Sequence, residues 1–225
     1  MTANNKTART VGILFIIGTV AGILSVVFTE SILTDPDYLT KLASNENRII
    51  LGVLFILIMG FALAMVPVLL FPIFKRYNEG LALGAVIFRG ALETVTYIAI
   101  VICLLLLLPL SRLYIQAGVT DVSYFQALGT LLREAEFWFS HILSIVFSLG
   151  ALIIYYLFYQ TKLIPRWLSV WGLIGGILYL TVPLLGMFGY EIGFIMIPLA
   201  VQEMILAIWL IAKGFNNTGE SELIS

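Results

Sequence analysis

Six long apolar runs dominate this chain, at about residues 10–28, 49–74, 81–110, 136–159, 167–188 and 192–212. An α-helix needs about 20 mostly apolar residues to cross roughly 30 Å of hydrocarbon, and each run meets or approaches that length. The runs are uniformly apolar, without the alternation of a membrane barrel's strands. They predict an all-α fold: a polytopic integral membrane protein, a six-transmembrane-helix bundle forming one unit over residues 1–225. No linker divides the chain, and the polar tail after Gly214 is too short for a domain.

Composition closes off the alternatives. The 225 residues are 61% hydrophobic and 11% charged, where a soluble domain is roughly 25% charged. Too little polar surface exists to clothe a water-soluble globule, which excludes soluble enzymes and disordered proteins. The 12 Lys and Arg balance 13 Asp and Glu, and no basic stretch points to nucleic acid. The expected partner is the lipid bilayer. Cys103 is the lone cysteine and His141 the lone histidine. Neither a disulfide nor a multi-imidazole metal site can be assembled from them, and no cofactor or metal is expected.

Orientation follows from where Lys and Arg fall between the runs. One side holds Lys6, Arg9, Lys75, Arg76, Lys162, Arg166 and Lys213; the other holds Lys41, Arg48, Arg112 and Arg133. The poorer side also carries Glu30, Asp35, Asp37, Glu46 and Asp121. Both termini are therefore expected in the cytoplasm, with the longest loops, after the first and third helices, outside. Lys6 and Arg9 before an apolar run resemble a signal peptide, but Phe28-Thr29-Glu30-Ser31 is no small-residue cleavage site. The first helix is expected to be retained. Trp138 at one boundary, with Trp167, Trp171 and Trp209 at the other, suits interfacial anchoring. Three helices starting inside and three starting outside permit an inverted repeat, without convincing identity between the halves.

Small residues recur at four-residue spacing in Gly18–Gly22 and in Gly172–Gly176, which lets helices approach closely in lipid. Packing inside the bundle is the expected role; a homo-oligomer seam is the alternative. Pro67 and Pro72 in the second run, and Pro183 in the fifth, remove helical hydrogen bonds and predict kinks.

The informative residues are those that lipid would reject. Arg89, Glu93 and Tyr97 recur every four residues on one face of the third helix. At 1.5 Å per residue Arg89 lies roughly 12 Å into the run and Glu93 about 18 Å, on either side of the membrane centre. A charge there costs about 2.5–3.5 kcal/mol even on the lenient insertion scale, so both must face protein, water or each other. Guanidinium carries five N–H donors, more than Glu93 can satisfy. A second acceptor is expected, and Glu203, beside Gln202 in the sixth run, stands near the same depth. Contact from Glu203 to Arg89 within about 4 Å is the specific expectation, with Tyr97 or the Ser144–Ser148 seam as the fallback. In the fourth run Ser140, Ser144 and Ser148 repeat every four residues, with His141 on the same side and Glu134 and Glu136 at the mouth. The candidate site is thus Arg89, Glu93, Tyr97, His141, Ser144, Gln202 and Glu203.

Three readings remain open for it. It is glue that fixes helix register, or a binding or transport site for a small solute, ion or proton, or an acid–base centre of a membrane-embedded enzyme. The enzyme reading has least to support it. No nucleophile elbow, HExxH motif or aspartate pair occurs, and Glu136 with His141 is too small a ligand set for zinc.

The segments RGALETVTY, LIPRWLSVWGLIGG and QEMILAIWLIAKGF together resemble a bacterial family of six-helix membrane proteins known as domain of unknown function 4386. The resemblance runs from about Arg9 to Phe215. It includes the Arg89–Glu93 pair, Glu203 and the run Pro165 to Ser169. It implies a six-helix protein of the bacterial inner membrane and brings no activity, substrate or cofactor.

Overall fold

The computed structural model describes residues 3–117, 122–190 and 192–216; Asp121 and the polar tail from residue 217 lie outside the described residues. Six helices are long and apolar enough to cross a membrane, and no strand occurs among the described residues. They are α1 (Ala3–Leu33), α2 (Glu46–Phe74), α3 (Glu79–Ala117), α4 (Val122–Thr161), α5 (Arg166–Gly186) and α6 (Ile197–Ala212). A short helix, Tyr38–Ser44, follows α1, and a 3-10 turn, Gly193–Met196, leads into α6.

The first four helices extend beyond the apolar runs that announced them, whereas α5 stops at Gly186 and α6 starts only at Ile197, after the 3-10 turn. α4 begins fourteen residues before residue 136, and its 40 residues reach about 60 Å. Charge ended the hydropathy signal at Arg133, Glu134 and Glu136, but charge does not end a helix. Arg133 and Glu136 pair along the helix surface at 2.8 Å, and the backbone continues through them. The loop expected after the third helix is therefore mostly helix. α2 stays helical through Pro67 and Pro72, and α5 through Pro183.

Each helix packs on its chain neighbours, and α6 closes the circle against α1. The result is a ring of six antiparallel helices. Its outward face is apolar: Ile23, Val95 and Ile208 are 60%, 63% and 61% exposed. Such a surface is stable only against lipid, so this is a multi-pass membrane protein.

Inside the ring are two apolar cores. One, toward the end that carries the termini, includes Phe15, Leu70, Phe74, Phe158, Leu206 and Leu210. The other, toward the far end, includes Leu42, Ile49, Val53, Leu104 and Leu107. Met59 packs against both, and the buried charges lie between them. At the terminal end, Asn216 donates its backbone N–H to the Leu163 carbonyl and its side-chain amide to the Lys162 carbonyl. At the far end Arg112 pairs with Glu46 and Lys41 with Asp35. The Lys41 hydrogen bond and the Asp37 amide hold the Asp35 carboxyl below its ordinary range.

Candidate functional site

In α3 the helix widens into a π segment over Val86–Leu92, with Arg89 at its middle. π turns are rare inside α-helices and concentrate where side chains must be re-aimed. Despite the widening, Arg89 still reaches Glu93: Nη1 donates to both carboxylate oxygens, at 3.2 and 3.1 Å. The other guanidinium nitrogen, Nη2, donates to Glu203 Oε1 of α6 at 3.0 Å. Phe147 of α4 lays its ring face 4.0 Å from the guanidinium carbon, a cation–π contact that covers the plane while its edges make the ion pairs. Arg89 is 1% exposed.

Two glycine contacts permit this approach. A Cβ on Gly150 of α4 would stand 2.8 Å from the Arg89 backbone nitrogen, so α4 can lie on the π segment only where no side chain intervenes. A Cβ on Gly60 of α2 would stand 3.1 Å from the Tyr97 ring.

Glu93 is sealed with Arg89, whereas the Glu203 side chain keeps 15% of its surface open. That surface belongs to a cavity of about 190 Å³ inside the ring. All six helices contribute to its wall, with Thr19, Met59, Tyr97, Ser144, Tyr179 and Glu203 as one residue from each. Counted as ionised, the cluster holds one positive and two negative charges, an excess of one negative charge facing this space.

The remaining candidates divide. Tyr97 and Ser144 are cavity wall. Ser144 donates to the Ser140 carbonyl at 2.9 Å, Ser148 to that of Ser144 at 2.7 Å, and Ser140 to Glu136 Oε1 at 3.3 Å. Gln202 is buried but turned away from Glu203, since consecutive helical residues diverge by about 100°. Its amide donates to the Leu168 carbonyl at 3.0 Å and ties α6 to the first turn of α5. His141 does not join the cluster, which corrects its placement there. It bonds through Nδ1 with the Phe137 carbonyl at 3.0 Å and walls a separate hollow with Val182, Gly186 and Tyr190. Gly186 gives way to the imidazole, standing where a Cβ would come within 2.6 Å of Nε2.

The glycine spacings are spent inside the molecule. Gly18 and Gly22 face Leu63 and Met59 of α2, Gly172 faces Tyr155 of α4, and Gly176 faces Leu152 of α4. These glycines thus serve close packing between the chain's own helices, the role expected for them. Among the described residues no three His, Cys, Asp or Glu side chains gather as a metal site.

Sequence reasoning did not reach the π segment, Phe147, Gly150 or Tyr179. Gly150 and Phe147 lie within a turn of the serine seam, and that proximity was the one available signal. Nothing in the sequence distinguished Tyr179.

The matched motifs take on physical roles. Arg89 and Glu93 form the buried pair, Glu203 completes it, and Pro165 begins the α5 turn whose Leu168 carbonyl receives Gln202. No curated protein and no solved structure matches the chain. The family model described as Domain of unknown function (DUF4386) matches residues 10–214, and the chain belongs to that family.

Proposed function

We propose that this protein takes up a proton or a small cation at Glu203. Its setting is the bacterial cytoplasmic membrane, with both termini in the cytoplasm. The observation that carries the reading is the charge count at the cavity. Arg89 holds Glu93 and Glu203 together, one positive charge against two negative ones, and Glu203 forms part of the cavity wall. An uncompensated charge in a membrane interior is costly, so the site is stable when a proton or a cation from the cavity supplies the missing positive charge. The orientation rests on the seven basic residues at the terminal end against four at the other. The same ion pairs bind α6 to α3, so register and cation uptake depend on one cluster.

Infrared difference spectroscopy on the purified protein tests this directly, because a protonated carboxyl and a carboxylate absorb in separate regions. A carboxyl band that disappears in Glu203→Gln or Glu93→Gln, or a carboxylate band shifted by an added cation, supports uptake. Two ionised carboxylates that respond to neither acid nor added cations overturn it.

A further inference from the structure

We infer that the ligand of the Glu203 cavity is a small organic cation, a protonated amine carrying an apolar group. The inference rests on the cation-uptake reading and specifies its substrate class.

The walls decide between cations. Calcium takes six to eight oxygen ligands, magnesium a near-octahedral shell of oxygens and bound waters, and zinc a close set of Cys, His or carboxylate ligands. An alkali ion needs a ring of oxygens to replace its hydration shell. Here Glu203 is the one carboxylate in the wall, and the hydroxyl-bearing residues Thr19, Tyr97, Ser144 and Tyr179 are spread over four helices. The rest is Met59, Leu63, Leu143, Phe147 and Leu199, with Gly18 and Ala200. A bare ion would meet hydrocarbon on most sides. An amine divides as the cavity does: its ammonium pairs with Glu203, and its carbon skeleton lies against the aliphatic and aromatic walls.

Size agrees with this division. A dry cavity of roughly 150 Å³ accepts benzene, so about 190 Å³ leaves room for a ring and an aminomethyl group. The Tyr97 and Tyr179 rings add faces of the kind that attract ammonium groups. Access agrees as well. Ala200 is on the exposed side of α6, whereas its neighbour Leu199 is buried. The cavity therefore reaches toward the lipid side at α6, a route open to an amphiphilic amine and costly for a hydrated ion.

The test uses the full chain in detergent, with benzylamine as probe, benzyl alcohol as its uncharged counterpart, and sodium and potassium chloride as the inorganic cations. Dissociation constants are measured for the native chain, for Glu203→Gln, and for Ala200→Phe, which adds bulk to the cavity wall and leaves every charge in place. Benzylamine is expected to bind at least about tenfold tighter than benzyl alcohol, as a charge-assisted bond gives over a neutral one. Glu203→Gln should weaken it by about tenfold or more, and Ala200→Phe should abolish it while the thermal midpoint holds. Equal binding of alcohol and amine overturns the inference. Glu203-dependent binding of sodium or potassium that benzylamine does not displace overturns the organic class and leaves cation uptake standing. If no cation of either kind binds, the organic-cation inference falls, and the carboxyl and carboxylate infrared bands alone decide whether Glu203 takes up a proton.

Discussion

The charge count at Arg89 leads to a pattern of stabilities that pairwise reasoning would not give. Arg89 meets Glu93 at 3.1 Å and Glu203 at 3.0 Å. If each ion pair acted alone, losing either carboxylate would be as damaging as breaking any buried pair. In the triad, Glu93→Gln or Glu203→Gln instead leaves one guanidinium with one carboxylate, a balanced pair. A charge-assisted hydrogen bond becomes a neutral one, a loss of about 1 kcal/mol, while the excess buried charge disappears. Each single variant should therefore lie within about 1 kcal/mol of the native chain, or about 4 °C at roughly 2–4 °C per kcal/mol for this size. Arg89→Met removes the only positive charge from two buried carboxylates, and the double Gln variant strands the guanidinium. Each of these should cost about 3–5 kcal/mol, or about 6–20 °C on the same scale. The assay is the thermal midpoint in detergent, followed by intrinsic fluorescence. The reasoning fails if either single Gln variant melts as low as Arg89→Met, because the cluster then carries no excess charge to relieve.

Other predictions concern packing, surface charge and orientation. Gly150→Ala places a methyl group 2.8 Å from the Arg89 backbone, whereas Gly84→Ala at the same α3–α4 contact meets Ile153 at an ordinary 3.4 Å. The two share any gain in helix propensity, so Gly150→Ala should melt lower than Gly84→Ala by the cost of overpacking, about 1–3 kcal/mol. Asp35 is held below its ordinary range by Lys41 and the Asp37 amide. The stability it lends is therefore present at neutral pH, above the unfolded carboxyl's range, and is lost as pH falls through the lowered folded value. Amide exchange across Tyr38–Ser44 should accelerate there, and should be already fast at neutral pH in Asp35→Asn. Reporter fusions after Asn78 and after Gly214 should both read cytoplasmic; an external signal from either would refute the orientation drawn from the basic residues.

Much was legible in the chain because the bilayer is a severe solvent. It demands about 20 apolar residues per crossing and penalises every stray charge, so six runs give six helices and Arg89, Glu93 and Glu203 stand out. Mutual contact could be inferred as well: a guanidinium has more donors than one carboxylate can satisfy, and Glu203 stood near the same depth. Helix ends were less legible, since hydropathy marks where lipid is tolerated rather than where backbone hydrogen bonds stop. α4 runs on through Arg133 and Glu136 for that reason.

Tertiary structure alone decided the rest. Whether glycines at four-residue spacing face a partner molecule or the chain's own helices depends on which neighbour arrives, and here Leu63, Met59, Tyr155 and Leu152 arrive first. His141 and Ser144 are a turn apart on one helix, yet one meets Gly186 and the other the central cavity. Their difference lies in the placement of α5, which no local pattern in α4 encodes. The π segment likewise lies against Gly150 of α4, a neighbour that no local pattern in α3 encodes. The sequence by itself determined the membrane as solvent, the helix count and the buried charges. The closing of six helices into a ring decided what surrounds those charges, because a cavity is a property of neighbours and not of any one segment.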